Sequence, residues 1–410
     1  MRYFSVVCRR GRCQDTARLS RAVLYGLALL LTLTGSRAAD AVGCGVRERV
    51  PRQAASVGPA TVLTLRPAPE SAAVSQASLD LVEQYAHRKP VSYYVPTPAS
   101  GDAYARFPGV SPVLAAISAG GVVAKSNLAA GCALWEWWWH GRQFINDYDY
   151  GRQIQVAVYP ADGDAALGEA GDVYGVASLQ PDARHPSPCV GFATGGSTPS
   201  PSVTSAAVPL EWCPEYYGGS PEHPIAYPAV RIGKVLTLNW VGPDGVDRHW
   251  PVALFQTVVN SGGIQRATVE APTGYLNAEF NTYYHYSPAS GTLVQDALEA
   301  IRAKTARGLG YNLKSPAGAP MAVILAAGRA RTAPAMGIYV NDPNTGFVFY
   351  DNSIGASPGQ AGSNFVKWEV HYDGPITAAS WTYDAWIMTD SVQNILEDMN
   401  RLYSWAVASR

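Results

Sequence analysis

The chain has 410 residues, 47% of them hydrophobic and 15% charged, with a formal net charge of −1. That composition supplies a large core and excludes a disordered chain or a strongly basic nucleic-acid binder.

At the N-terminus, Arg2, Arg9, Arg10, Arg12, Arg18 and Arg21 precede the apolar run AVLYGLALLLTLTG (22–35), and SRAAD then offers small residues for cleavage. This is the pattern of a secretory signal over residues 1–39, cut after Ala38 or Ala39. The apolar run is shorter than the ~20 residues that span a bilayer, so no transmembrane segment is expected in the mature chain. Cleavage would remove seven arginines and Asp15, leaving a mildly acidic product of net charge about −7, for which no nucleic-acid partner is expected. A secreted or periplasmic destination follows.

Cys44, Cys132, Cys189 and Cys213 remain, and in an oxidising compartment they suggest disulfides. Cys189 and Cys213 bracket a stretch rich in Gly, Ser, Thr and Pro, so the expected bond joins these two and staples a surface loop; free buried thiols are the alternative. Spacing leaves the pairing of Cys44 and Cys132 open.

Residues 40–75 read as a flexible leader without steady periodicity. From 76 to 410 the pattern predicts one domain with a loop insertion around 190–230. Short runs of Val, Ile, Tyr, Trp and Thr cut by turn residues predict strands: GGVVAKSNL (120–128), ALWEWWW (133–139), GRQIQVAVYP (151–160), KVLTLNW (234–240), ALFQTVVN (253–260), QRATVEA (265–271), MAVILAAG (321–328), AMGIYV (335–340), GFVFY (346–350) and FVKWEVHY (365–372). Helices are predicted at 297–308, stopping at Gly308, and at 390–403 behind an Asp390 cap. The fold class is therefore mostly β, a large antiparallel β-sandwich with a C-terminal helix.

The stretch ALWEWWWHGRQFINDYDYGRQIQ (133–155) predicts a hairpin turning at His140 and Gly141. Strict alternation puts Ala133, Trp135, Trp137 and Trp139 on one face and Leu134, Glu136 and Trp138 on the other. All four indoles could be core, or Trp138 could be a stacking platform for a sugar. In DYGRQIQ, Arg152 and Ile154 share one face while Gly151, Gln153 and Gln155 share the other, next to Asp147 and Asp149. A forked guanidinium beside carboxylates, amides and rings suits a hydroxyl-rich ligand, and a structural ion pair is the plainer alternative.

The D-x-G-R-Q-x-Q segment, preceded by W-x-W-W and F-I-N, resembles a group of secreted bacterial proteins of uncharacterised function that look related to the galactose mutarotase-like β-supersandwich. Glu169-Ala170-Gly171, Thr273-Gly274-Tyr275-Leu276, Met336-Gly337-Ile338-Tyr339, Lys367-Trp368 and Leu402-Tyr403 fit the same resemblance. The resemblance implies a sugar or polysaccharide bound in the concave face of the larger sheet, with Gly151-Arg152 similar to the element that contacts it. A His and a Glu transfer protons in true mutarotases. By chemistry His285, within FNTYYHY, and Glu369, within KWEVHY, match them here. Tyr150, standing where relatives carry His, would serve as a weak acid. Arg152, Asp149, Gln155, Glu169, Trp138 and Tyr284 are the expected substrate-binding residues.

No serine-hydrolase elbow, zincin motif, phosphate loop or dinucleotide fingerprint is present, and the seven histidines are scattered. Neither a cofactor nor a metal site is expected. Two functions remain: a carbohydrate-active enzyme (epimerase, polysaccharide lyase or glycosidase), or a non-catalytic envelope or structural glycan-binding protein using the same cleft.

Overall fold

Branched and aromatic residues alternating with small or polar ones write most of the chain as strands, because such side chains pack on a pleated, half-buried surface. The computed structural model describes residues 114–128, 131–146, 153–161, 167–168, 187–196, 200–211, 226–227, 229–240, 242, 252–314, 319–343, 345–354 and 364–408. Strands β1 (Leu114–Ala119), β2 (Val122–Asn127), β3 (Leu134–Trp139) and β4 (Arg142–Gln143) come first. They are followed by β5 (Gln155–Pro160), β6 (Leu167–Gly168), β7 (Cys189–Gly195), β8 (Ser202–Ala207), β9 (Leu210–Glu211), β10 (Arg231–Thr237), β11 (Val252–Asn260) and β12 (Arg266–Asn277). The chain continues through β13 (Thr282–Ser287), β14 (Thr292–Gln295), helix α1 (Leu298–Thr305), β15 (Tyr311–Lys314), β16 (Ala322–Ala326) and β17 (Pro334–Tyr339). It ends with β18 (Gly346–Asn352), β19 (Phe365–Pro375), β20 (Trp381–Ser391) and helix α2 (Val392–Ala408).

These strands make an antiparallel sandwich. One sheet has nine strands in the order β14-β13-β16-β17-β20-β11-β10-β8-β7, another seven in the order β15-β18-β19-β12-β5-β6-β9, and β1 to β4 form a third. Val156, Val269, Phe349, Val366 and Trp368 of the seven-stranded sheet meet Ile232, Phe255, Val323, Ile338 and Ile387 of the nine-stranded sheet in one buried core. Helix α2 covers the opposite face of the nine-stranded sheet, burying Val392, Ile395, Met399 and Leu402 against Tyr284, Ile324 and Met388. Close approach of the helix requires glycine at 337, since a Cβ there would lie 2.4 Å from the Ile395 side chain. The mostly β sandwich and its C-terminal helix are thus as the sequence predicts.

Four local expectations are corrected. The α2 cap is Ser391, whose Oγ accepts the Asn394 N–H at 3.2 Å, while the Asp390 carboxylate takes the Asn394 side chain at 2.9 Å. Residues 189–211, expected within a loop insertion, form β7, β8 and β9; an edge hairpin tolerates their Gly, Ser and Thr because one side of its ladder faces solvent. In β3 a register shift between Lys125 and Ser126 pairs Ser126 with Leu134 and Lys125 with Glu136. The extra residue breaks strict alternation, so Leu134 joins Trp137 in the core. The predicted turn does form, with positive φ at His140 (46°) and Gly141 (78°).

The fourth correction is the disulfide. Cys189 is bonded to Cys132, with Cα atoms 5.4 Å apart, and the expected partner Cys213 lies outside the described residues. Folding carries the start of β7 against the turn before β3, a proximity invisible in sequence spacing. The buried Lys234 donates to the Cys132 carbonyl and to Ser205 Oγ at 3.0 Å, fixing β10 to the same corner.

Among the described residues no helix is long and apolar enough to cross a membrane, and no group of three His, Cys, Asp or Glu could hold a metal ion.

Candidate functional site

Period-2 alternation along β19 sends Val366, Trp368 and Val370 into the core, so Lys367, Glu369 and His371 project from the outer face of the seven-stranded sheet. Register places Tyr275 opposite Lys367, Thr273 opposite Glu369 and Glu270 opposite His371 on β12. A bulge between Glu270 and Thr273 absorbs Ala271 and Pro272 and keeps these three on one face. From β5, Gln155 pairs with Thr273 and Tyr159 with Thr268; from β18, Tyr350 pairs with Lys367. Four strands therefore converge their polar side chains on one patch.

Its centre is an ion cluster. The Lys367 ammonium lies 2.7 Å from Glu369 Oε1 and 3.3 Å from Glu270 Oε2, with all three side chains at most 5% exposed. The Tyr275 and Tyr350 rings lie 4.9 Å and 5.3 Å from the same ammonium, within cation–π range. Tyr159 donates its hydroxyl to Glu270 Oε1 at 3.0 Å. His371 Nδ1 lies 3.8 Å from Glu369 Oε2. Burial works against the Lys367 charge, but Glu270 and Glu369 outweigh it and hold the ammonium well above the ordinary lysine range. Burial also raises the Tyr275 phenol, opposed by Lys367.

The outcome is a fixed cation between two carboxylates. Lys367 keeps its proton at any ordinary pH, and carboxylates tied to it are held in orientation rather than left free as bases. The patch is closed around Gln155, Tyr275 and Lys367 and opens toward Tyr159, Thr268 and His371, which are half-exposed.

Of the expected site residues, Glu369 and Gln155 lie in this patch. His285 does not meet Glu369: it belongs to β13 of the nine-stranded sheet, where its Nδ1 lies 3.1 Å from both oxygens of the buried Asp296. Tyr284, its neighbour, points the other way into the layer beneath α2 and donates to the Arg329 carbonyl at 3.4 Å. Trp138 lies in the four-stranded sheet, its Nε1 donating to Glu136 at 2.6 Å, and Glu136 is paired with Lys125 at 2.6 Å. Asp149, Tyr150, Arg152 and Glu169 lie outside the described residues.

Lys367, His371, Glu270, Tyr159, Tyr275 and Tyr350 were not expected. A signal for the first two was available, since KWEVHY alternates polar and apolar residues and aligns Lys367, Glu369 and His371. Glu270 carried the same signal, since Arg266, Thr268 and Glu270 alternate with the core residues Ala267, Val269 and Ala271; the bulge after it hides only that Thr273 and Tyr275 share its face.

No protein-family model matches the chain, and no curated protein matches it. Among solved structures it is similar to an alpha-mannosidase from Enterococcus faecalis V583, with 8% identity over 73% of this chain and a TM-score of 0.40. The chain spans only 32% of that enzyme. It is also similar to a galactose mutarotase-like protein from Clostridium acetobutylicum, with 9% identity, 67% of this chain, 94% of that one and a TM-score of 0.35. A third is a 4-alpha-glucanotransferase from Thermococcus litoralis, with 8% identity, 68% of this chain, 38% of that one and a TM-score of 0.29.

Proposed function

We propose that the chain is an exported carbohydrate-binding protein whose sugar or polysaccharide sits on the outer face of the seven-stranded sheet. The observation that carries this reading is the Glu270–Lys367–Glu369 cluster framed by Tyr159, Tyr275, Tyr350 and His371. At the open end of the patch the half-exposed Tyr159 ring offers an apolar face to a pyranose and His371 a hydrogen-bonding edge, both held in place by the buried carboxylates beneath them. Export is supported by the leader pattern of residues 1–39 and by the Cys132–Cys189 bond, a pairing favoured in oxidising compartments.

Binding without turnover is the better-supported form, because the ion cluster leaves neither carboxylate as a free base. A carbohydrate-active enzyme is the second reading. It is favoured by His371, half-exposed and beside Glu369, which is placed to exchange a proton at the open end of the patch. Purified mature protein titrated against a glycan panel, with Glu369→Gln alongside, tests both. The account expects saturable binding weakened at least tenfold in Glu369→Gln, without new reducing ends, ultraviolet absorbance or altered anomer exchange. Turnover lost in His371→Ala would establish the enzyme instead, and no binding by the folded parent would end both readings.

A further inference from the structure

Beyond the polar patch, the outer face of the seven-stranded sheet carries a second group of polar side chains. In β12, Ala267 and Val269 enter the core, and in β19 Val370 enters it while Tyr372 packs against it. Alternation therefore stands Arg266, Thr268 and Asp373 on the same outer face as Glu270, Glu369 and His371. Register sets Thr268 between Tyr159 of β5 and Asp373 of β19. Arg266 Nη2 lies 3.5 Å from Asp373 Oδ1, and the two side chains are 50% and 61% exposed. Charge-assisted hydrogen bonds to a carboxylate are ordinarily about 2.7–2.9 Å long, so this pair is a loose contact. Neither side chain makes another hydrogen bond or ion pair among the described residues.

The resulting strip is closed at one end and open at the other. Gln155, Tyr275, Tyr350 and Lys367 are buried, Tyr159, Thr268 and His371 are half-exposed, and Arg266 and Asp373 are exposed. A ligand seated at Tyr159 and His371 therefore extends toward Thr268, Asp373 and Arg266. Side chains on one face of a strand recur about every 6.6 Å, so Asp373 stands one such step past His371, a spacing comparable to one sugar ring. We propose that Thr268, Asp373 and Arg266 form a second subsite, which takes the hydroxyl groups of the next ring of a neutral glycan whose first ring sits at Tyr159 and His371. The inference rests on the reading of the polar patch as a carbohydrate site. The Asp373 carboxylate accepts hydroxyl hydrogens, while the Arg266 fork and the Thr268 hydroxyl donate to sugar oxygens. Neutral rings are favoured because the described cations of the strip already face carboxylates, Lys367 those of Glu270 and Glu369, and Arg266 that of Asp373. A uronate would set its own charge beside Asp373.

Gluco- and galacto-configured monosaccharides and disaccharides, with a uronate-containing disaccharide beside them, titrated by calorimetry against the parent, Arg266→Ala, Asp373→Ala and Asp373→Asn test this. The parent is expected to bind a neutral disaccharide at least tenfold more tightly than its monosaccharide, and more tightly than the uronate-containing one. Arg266→Ala and Asp373→Ala should each bring that ratio below about threefold, whereas Glu369→Gln should weaken both neutral sugars alike and keep the ratio. Asp373→Asn keeps the size of the side chain and removes its charge, so affinity for the uronate-containing disaccharide should rise at least fivefold as Arg266 turns to the ligand carboxylate. That gain needs a folded protein and guards against misfolded alanine variants. Equal affinity for monosaccharide and disaccharide in the parent, or a ratio that survives both alanine substitutions, overturns the subsite and spares the patch. Uronate binding in the parent as tight as neutral binding overturns the neutral ligand class. No binding of any saccharide overturns the carbohydrate reading and the subsite with it.

Discussion

Lys367 holds two buried carboxylates apart, and its removal leaves both uncompensated. Lys367→Met is therefore expected to destabilise the fold by about 3–5 kcal/mol in denaturant unfolding, with part of the loss restored by adding Glu270→Gln. Asp398 on α2 gives a second prediction. Burial is the main cause that pushes its carboxyl from 3.8 up to about 7, with Arg401 opposing and Asp390 and Glu397 adding. The folded chain then holds a proton that the unfolded chain releases, so stability from this group is full below about pH 4 and falls as pH rises to about 7, by roughly 4 kcal/mol. Asp398→Asn should flatten that slope, gaining stability at pH 8 relative to the parent and little at pH 4, as thermal melts across pH would report. Glu369 was legible in the sequence as a carboxylate on a strand; its dependence on Lys367 and Glu270 was not, because the second partner comes from a distant strand that only sheet register brings alongside.

Elements were more legible than their ends and pairings. All ten runs singled out as strands contribute to strands, since the period-2 signal is local and each run buries one face. Helix α1 stops near Gly308, which has φ 70° as a helix stop requires. The cap of α2 shifted from Asp390 to Ser391 because two candidate acceptors stand side by side and only geometry selects one; Ser391→Ala is expected to cost about 1 kcal/mol and Asp390→Ala less. The disulfide was misassigned because Cys132 and Cys189, 57 residues apart, meet only through the sandwich. Cys132→Ser should lower stability by about 4 kcal/mol through loop closure, measured by unfolding under non-reducing conditions. Non-reducing peptide mapping of the parent should recover the Cys132–Cys189 linked pair.

At the scale of the molecule, the sandwich and its terminal helix follow from strand rhythm and composition, while the location of the site does not. The tryptophan-rich hairpin draws the eye in the sequence, yet Trp137 is buried in the core, with its Nε1 3.2 Å from Thr389. The polar patch is assembled from four strands spread between residues 155 and 371, and only sheet order brings them together. The most direct test of its role is hydrogen exchange read by mass spectrometry, on the mature protein with and without its tightest-binding glycan. The account predicts ligand-dependent protection in peptides covering 268–275 and 365–373, with none in the β3–β4 hairpin or in β13. Protection confined to that hairpin or to the His285 strand, with 365–373 unchanged, would contradict it.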